Sequence, residues 1–318
     1  KTLFGQHVDD SSSHSESAES GIKHPNGSVV GPGHFFRLGV VSVSMLTATL
    51  LALAAAVLHA AWNLWVKQSG DRWIALWGQM TMAGIGGIIV IAFVGLPPNF
   101  VWWPAVASGL IHLYYLVALA RSYDLADFSV TYPIARGSGA LLAALGGVLF
   151  LSDHLSPLMI LGIIIAIAGI MLLAGHADNA HVRAAIIVGI FIACYSLLDS
   201  HGARVNSGSV YALTIFITTG FFTTLHGLMA GKKQQMIAAM KTSWLHFSLA
   251  GAASALTYWM VMIAVRRAPV GYVTALRESS VVIVALVGTR YLGEKDMKRR
   301  VFAACIVVAG LGVLIAGR

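Results

Sequence analysis

The sequence predicts an all-α integral membrane protein of ten transmembrane helices arranged as two inverted five-helix repeats. Three observations carry this expectation: composition, the spacing of apolar runs, and an internal frame that relates the two halves of the chain. Of the 318 residues, 57% are apolar and only 11% charged, whereas soluble domains carry about 25% charged residues. The apolar residues gather into runs near 47–66, 73–94, 100–120, 128–151, 157–174, 184–200, 209–230, 244–265, 269–292 and 299–316. Runs of about 17–25 residues are what a helix needs to cross a ~30 Å hydrocarbon core. Every backbone polar group must be satisfied within lipid, so these runs are expected to be helices, and no alternating β-barrel pattern competes. The gaps are short and hold the breakers, such as LPPN at 96–99 and RRAP at 266–269. None is long enough for an extramembrane catalytic domain.

The halves can be laid over each other. A shift of 141 residues places Arg136 on Arg277, Ser138 on Ser279, Gly147 on Gly288 and Asp153 on Glu294. The same frame continues into the fifth and tenth runs, where Gly169 meets Gly310 and Leu173 meets Leu314. A shift of 136 places Asn63 on Asp199. Leucine and glycine matches are cheap in an apolar chain, but paired intramembrane arginines in one ungapped frame are not. Five is odd, so the second half (184–316) must cross in the opposite sense to the first (47–174). Inverted repeats place substrate sites near the midplane and give alternating access when the halves rock.

The formal charge of +8 does not indicate nucleic acid, because the basic residues sit in the gaps between runs, where headgroups and topology call for them. The expected partners are membrane lipid and a small-molecule substrate, with the chain a monomer or homodimer. Cys194 and Cys305 each lie inside an apolar run with no metal-ligand spacing, so they read as packing residues and no metal or cofactor is expected. Residues 1–44 contain SSSHSESAES and KHPNGSVVGPG; the expectation is a disordered tail, a tag, or upstream translation ahead of Met45. Residues 232–243 combine Lys232, Lys233 and Lys241 with Met236, Ile237 and Met240, which suggests a short helix on the membrane surface. The Gly139, Ala143, Gly147 series reads as a small-residue seam for close helix contact.

Charge inside a bilayer span is costly and marks function by default. Arg136, Arg277, Glu278 and, nearer a helix end, Asp199 are such charges. A guanidinium fork suits a carboxylate or phosphate, so Arg136 and Arg277 are candidate substrate ligands; the bland alternative is that each pairs internally, with Glu278, Asp199 or helix-end carbonyls. Glu278, and after it Asp199, are the candidate proton carriers. His59 and Asn63 share a face of the first helix, His112 and Tyr115 of the third, and Tyr132 and Arg136 of the fourth, because residues three or four apart are neighbours on a helix. These faces are candidates for lining one polar cavity, against the alternative of packing hydrogen bonds.

The segments LLALAAAVLHAAWNLWVK at 50–67, TYPIARGSGALLAALGGVLFL at 131–151, YSLLDSHGAR at 195–204 and APVGYVTALRESSVVIVAL at 268–286 resemble the EamA family of the drug/metabolite transporter superfamily. The resemblance covers 47–316. It implies a ten-helix secondary transporter, often an exporter, in a bacterial inner membrane, without naming the substrate. One departure is Ser152-Asp153, where family members often carry the Gly-Glu pair seen here at Gly293-Glu294. The expected function is therefore alternating-access transport of a small polar or amphiphilic metabolite or drug, with proton coupling as an option. The rival classes are a flippase for a lipid-linked head group and an intramembrane enzyme. HExxH, GxSxG and the ATP-binding GxxxxGK[ST] pattern are all missing, which disfavours hydrolase and ATP-driven readings.

The resemblance implies cytoplasmic termini, but charge counting disagrees. The odd-numbered gaps hold twelve Lys and Arg, while the even-numbered gaps and C-terminus hold four. The positive-inside rule then places the termini outside. With Cys194 and Cys305 replaced by Ser, Lys241→Cys is expected to resist an impermeant thiol reagent in intact cells; rapid labelling would reverse the orientation.

Overall fold

The computed structural model describes residues 32–67, 69–125, 128–174, 179–206, 210–282 and 297–318, with the backbone alone over 32–43, 62–67, 123–125, 128–132, 173–174, 297–298 and 300. The described residues form α1 (Pro32–Lys67), α2 (Arg72–Val94), α3 (Trp103–Leu125), α4 (Phe128–Phe150), α5 (Pro157–Ala174), α6 (Asn179–Val205), α7 (Tyr211–Met229), α8 (Lys233–Val265), α9 (Val270–Arg277) and α10 (Met297–Ala316), with no strand among them. Seven helices are long and apolar enough to cross a membrane: 44–61 of α1, α2, 103–122 of α3, 133–150 of α4, α6, α7 and α8. The apolar stretches of α5 and α10, 157–172 and 301–316, are shorter. The ninth expected run, 269–292, is described only as far as residue 282.

The chain divides into two compact units, 1–43 and 44–318. In the first, residues 32–43 are helical rather than disordered, which corrects the expectation for that part of the tail. Pro32 suits the first position of a helix, and the FFRLGVVSV that follows is apolar and offers no breaker beyond Gly39. The surface-helix expectation for 232–243 is also corrected. Residues 233–265 form one uninterrupted helix, because no Pro or Gly stands between Lys233 and Leu249 and extending a helix is easier than nucleating a new one. Met236 is buried beside Ile74, Trp77 and Phe247, while Lys233 and Lys241 stay exposed.

Within the second unit, α2 packs against α7 and α8, α3 against α6 and α7, α4 against α5, α6 and α9, and α5 against α10. α1 reaches α9 through Thr49 Oγ1, 2.7 Å from the Tyr272 hydroxyl. Caps begin and end α2: the Asp71 carboxylate accepts the Ile74 N–H at 3.0 Å, and Gly95, at φ 77°, donates its N–H back to the Ile91 carbonyl. Hydroxyls join neighbours where apolar packing alone would leave polar groups in the core. Thr218 donates to the Ala105 carbonyl at 2.7 Å, and Trp77 Nε1 donates to Thr224 at 2.9 Å. Gln79 Nε2 donates to Ser254, both buried. Phe93, Leu149, Phe150 and Met229 face outward and are largely exposed, the disposition expected of a surface in contact with lipid.

Small residues set the helix separations. Gly139 lies against Ile192 and the Gly189 carbonyl of α6, so the Gly139–Ala143–Gly147 seam is a packing surface as expected. A close backbone approach joins α5 and α10, where a Cβ on Gly310 would meet the Gly162 carbonyl at 2.9 Å with the Ala166 backbone nearer still. Overpacking a contact of this kind costs about 1–3 kcal/mol. Gly310→Val is therefore expected to lower the melting temperature in detergent, whereas Gly312→Ala, with nothing within 4 Å of its added methyl, is expected to leave it unchanged.

Candidate functional site

The α2, α3, α6, α7, α8 and α9 helices, with His59 of α1, surround a cavity of about 70 Å³. That is room for a few water molecules and below the roughly 300–1,000 Å³ typical of ligand pockets, so a ligand is small or the helices part to admit it. Aromatic rings make its walls. His112 stacks on Tyr195 with centroids 4.2 Å apart, and Tyr115 meets Tyr195 edge-on at 5.4 Å. Tyr258 stands edge-on to both His112 at 6.0 Å and Phe216 at 5.9 Å. His112 is held by its own helix turn, Nδ1 lying 3.0 Å from the Ser108 carbonyl and 3.1 Å from Ser108 Oγ.

Arg277 supplies the charge of this cavity. It is 5% exposed, its Nε has no hydrogen-bond partner, and no carboxylate pairs with it among the described residues. It occupies the last turn of α9, which runs only from Val270 to Arg277 before Glu278 turns the chain and helical residues resume at 279–282. Eight residues rise about 12 Å, so the break falls well inside the ninth run. A cation in the last turn also meets the negative end of the helix dipole.

Arg136 meets a different fate. Its Nη2 lies 2.7 Å from Glu278 Oε1 and its Nε donates to Glu278 Oε2 at 3.1 Å, with both side chains buried. The two side chains expected to bind substrate and carry the proton are thus bound to each other in a two-pronged ion pair. Arg277 and Glu278, neighbours in sequence, point apart as helical geometry requires. Asp199, fully buried in α6, has no cation partner among the described residues. Its carboxylate accepts hydrogen bonds from the Tyr258 hydroxyl and, at 3.4 Å, from Tyr211, with Ser108 also in range.

Of the candidate residues, His59, His112 and Arg277 meet at the cavity, Arg136 and Glu278 pair with each other, and Asp199 lies behind Tyr258. The side chains of Asn63 and Tyr132 lie outside the described residues. Tyr195, Tyr258 and Phe216 were not among the candidates. Tyr195 stands four residues before Asp199, and Ser254 four before Tyr258, so one-face spacing of polar groups was the signal available.

At one end of the bundle, the turn after α4 has its own work. Ser152 adopts φ 55°, a left-handed value that favours glycine. It swings Asp153 back so that Oδ2 accepts the Val270 N–H at 2.6 Å and Oδ1 pairs with Arg204 Nη1 at 2.8 Å. Arg204 Nε also donates to the Val265 carbonyl at 3.0 Å. This ties α4, α6 and the start of α9 together.

The long apolar helices and outward apolar surface define the class: an all-α, multi-pass membrane protein. No family model matches the chain, and no curated protein matches it. Among solved structures, 29 chains match. One crystal structure of a protein superposes with a TM-score of 0.67 at 17% identity, covering 84% of this chain and 97% of that one. At that identity the likeness shows a shared fold.

Removing one partner of a buried ion pair leaves a charge without compensation and costs about 3–5 kcal/mol. Glu278→Gln is expected to destabilise the protein on that scale in detergent melts, and Arg136→Gln with Glu278→Gln to recover most of the loss.

Proposed function

We propose that the protein is a secondary transporter for a small anionic or zwitterionic metabolite, working by alternating access between two inverted five-helix repeats, in the manner of the EamA family that its sequence resembles. On that resemblance it is an exporter of a bacterial inner membrane. The observation that carries the reading is Arg277: a buried guanidinium with no carboxylate partner among the described residues, facing an aromatic cavity at a break in its helix. Burying a charge without a partner is unfavourable, and an incoming carboxylate or phosphate relieves that cost through the guanidinium fork. Broken helices are where secondary transporters build substrate sites.

The packing supports the repeat. The 141-residue frame maps Gly162 to Ala303 and Gly310 to Gly169. The Gly162–Gly310 contact between α5 and α10 has its counterpart in Gly169 against Ala303. Likewise α2 meets α7 and α4 meets α9, pairs that the frame exchanges, and the α3–α7 contact is matched by α2–α8. The same frame sets Gly137 opposite Glu278, so Arg277 has no acid in the place where Arg136 has one.

For coupling, the ion pair takes Glu278 out of the leading role. Among the described residues Asp199 forms no ion pair and is held by the hydroxyls of Tyr258 and Tyr211, which leaves it able to take up a proton. Tyr258 links it to the cavity wall, which allows substrate and proton occupancy to affect each other.

A thermal-shift screen of the full chain against small carboxylates and phosphates would supply a ligand for proteoliposome assays. Arg277→Gln is expected to cut transport by roughly 10- to 100-fold, the scale of a lost hydrogen bond to charge, without loss of thermal stability. Arg277→Lys is expected to be impaired as well. Asp199→Asn is expected to abolish accumulation driven by a pH gradient while sparing downhill exchange. Normal turnover by Arg277→Gln would remove the substrate role, and undiminished uphill transport by Asp199→Asn would remove the coupling role.

A further inference from the structure

We infer that the protein carries a second binding site, a basic pocket at the end of the bundle where α2 and α8 begin and α3 and α7 finish, which seats the phosphate of an anionic phospholipid. This site is independent of the transport reading. The pocket encloses about 570 Å³, and Asp71, Arg72, Trp73, Arg121, His226 and Lys232 are among its walls. All six stand where the chain enters or leaves a helix: Asp71 to Trp73 open α2, Arg121 lies in the last turns of α3, His226 in the last turn of α7, and Lys232 just ahead of α8. Helices long enough to span place such ends at the depth of lipid headgroups, where Trp is also favoured.

The pocket is built rather than incidental. Lys232 Nζ sits 4.5 Å above the Trp73 ring, and Trp73 lies against His226 with centroids 5.9 Å apart. A Cβ on Gly227 would clash with Trp73 at 2.5 Å, so the close seat of Trp73 on α7 requires that glycine. His226 Nδ1 is buried and has no hydrogen-bond partner. No carboxylate pairs with Arg121 among the described residues. Among the described residues the one acid in the wall, Asp71, is engaged in capping α2 through the Ile74 N–H. A planar guanidinium and a compact ammonium around one space, with an imidazole in its wall, are a phosphate-binding set. Basic pockets between helices at the membrane boundary recognise anionic headgroups.

The test uses the full chain in an uncharged detergent. Dioleoylphosphatidylglycerol is expected to raise the melting temperature by roughly 2–4 °C, with dioleoylphosphatidylcholine giving no rise. Arg121→Gln combined with Lys232→Gln should abolish the rise, while Lys233→Gln combined with Lys241→Gln, an equal charge loss at exposed positions of α8, should retain it. A photoreactive phosphatidylglycerol analogue should label segments 70–73 or 226–232 of the unaltered chain, a readout that stands if the double variant fails to fold. The proposal is overturned by no rise specific to phosphatidylglycerol, by a rise that survives in the pocket variant, by equal loss in the surface variant, or by labelling only elsewhere. A rise reproduced by inorganic phosphate alone would assign the site to a free anion and overturn the lipid.

Discussion

The ion pair between Arg136 and Glu278 is the constraint around which the centre of the molecule is arranged. It joins α4 to the turn that ends α9, and among the described residues Glu278 is the one carboxylate that forms an ion pair with either arginine. A buried charge must be compensated or pay several kcal/mol, so whatever holds that carboxylate decides which arginine remains available. The second arginine faces the cavity instead, in the last turn of a helix whose dipole favours a cation there. The proposed substrate chemistry follows from this division of one acid between two bases. Arg136 is bound within the protein, while Arg277 lines the cavity.

Close packing makes such an arrangement possible. The glycines of α2, α5, α7 and α10 bring helix backbones together, and without a hydrophobic drive between helices in lipid, contact of this kind is what holds them. The polar residues are then satisfied in two distinct ways. At the centre they are mostly hydroxyls, with Tyr258, Tyr211 and Ser108 around Asp199 and Gln79 against Ser254. At one end they are a charge pair plus backbone caps, with Asp153 shared between Arg204 and the Val270 N–H. Nearby, the Asn206 side chain takes the Val101 N–H at 2.8 Å and returns a bond to the Val101 carbonyl, fastening the loop after α2 to the end of α6.

Most of the helices were legible before any coordinates, because runs such as 73–94 and 209–230 have the length and breakers that lipid imposes. Their ends were less so. The tail was read as structureless through residue 44, yet a helix begins at Pro32; the Ser-rich stretch dominated the reading and masked the apolar 35–43. Lys232 to Ser243 looked like a surface helix because its charge pattern was weighed without the absence of a breaker after it. The acid at Asp153 was visible, but nothing along the chain shows that its carboxylate caps α9, 117 residues further on.

The sequence by itself determined the class of the protein and the identity of its charged centre. Apolar runs of spanning length, and arginines within them, leave few other readings, since the cost of polar groups in hydrocarbon is large and local. Only the tertiary structure decided which charge pairs with which. Ion pairing depends on distances between helices far apart in the chain: Arg136 and Glu278 are 142 residues apart, and spacing along one helix carries no information about the other. The aromatic walls were hidden for the same reason. Tyr195, Tyr258 and Phe216 look like packing residues within their own helices, and become a cavity lining only where α6, α7 and α8 converge on Arg277.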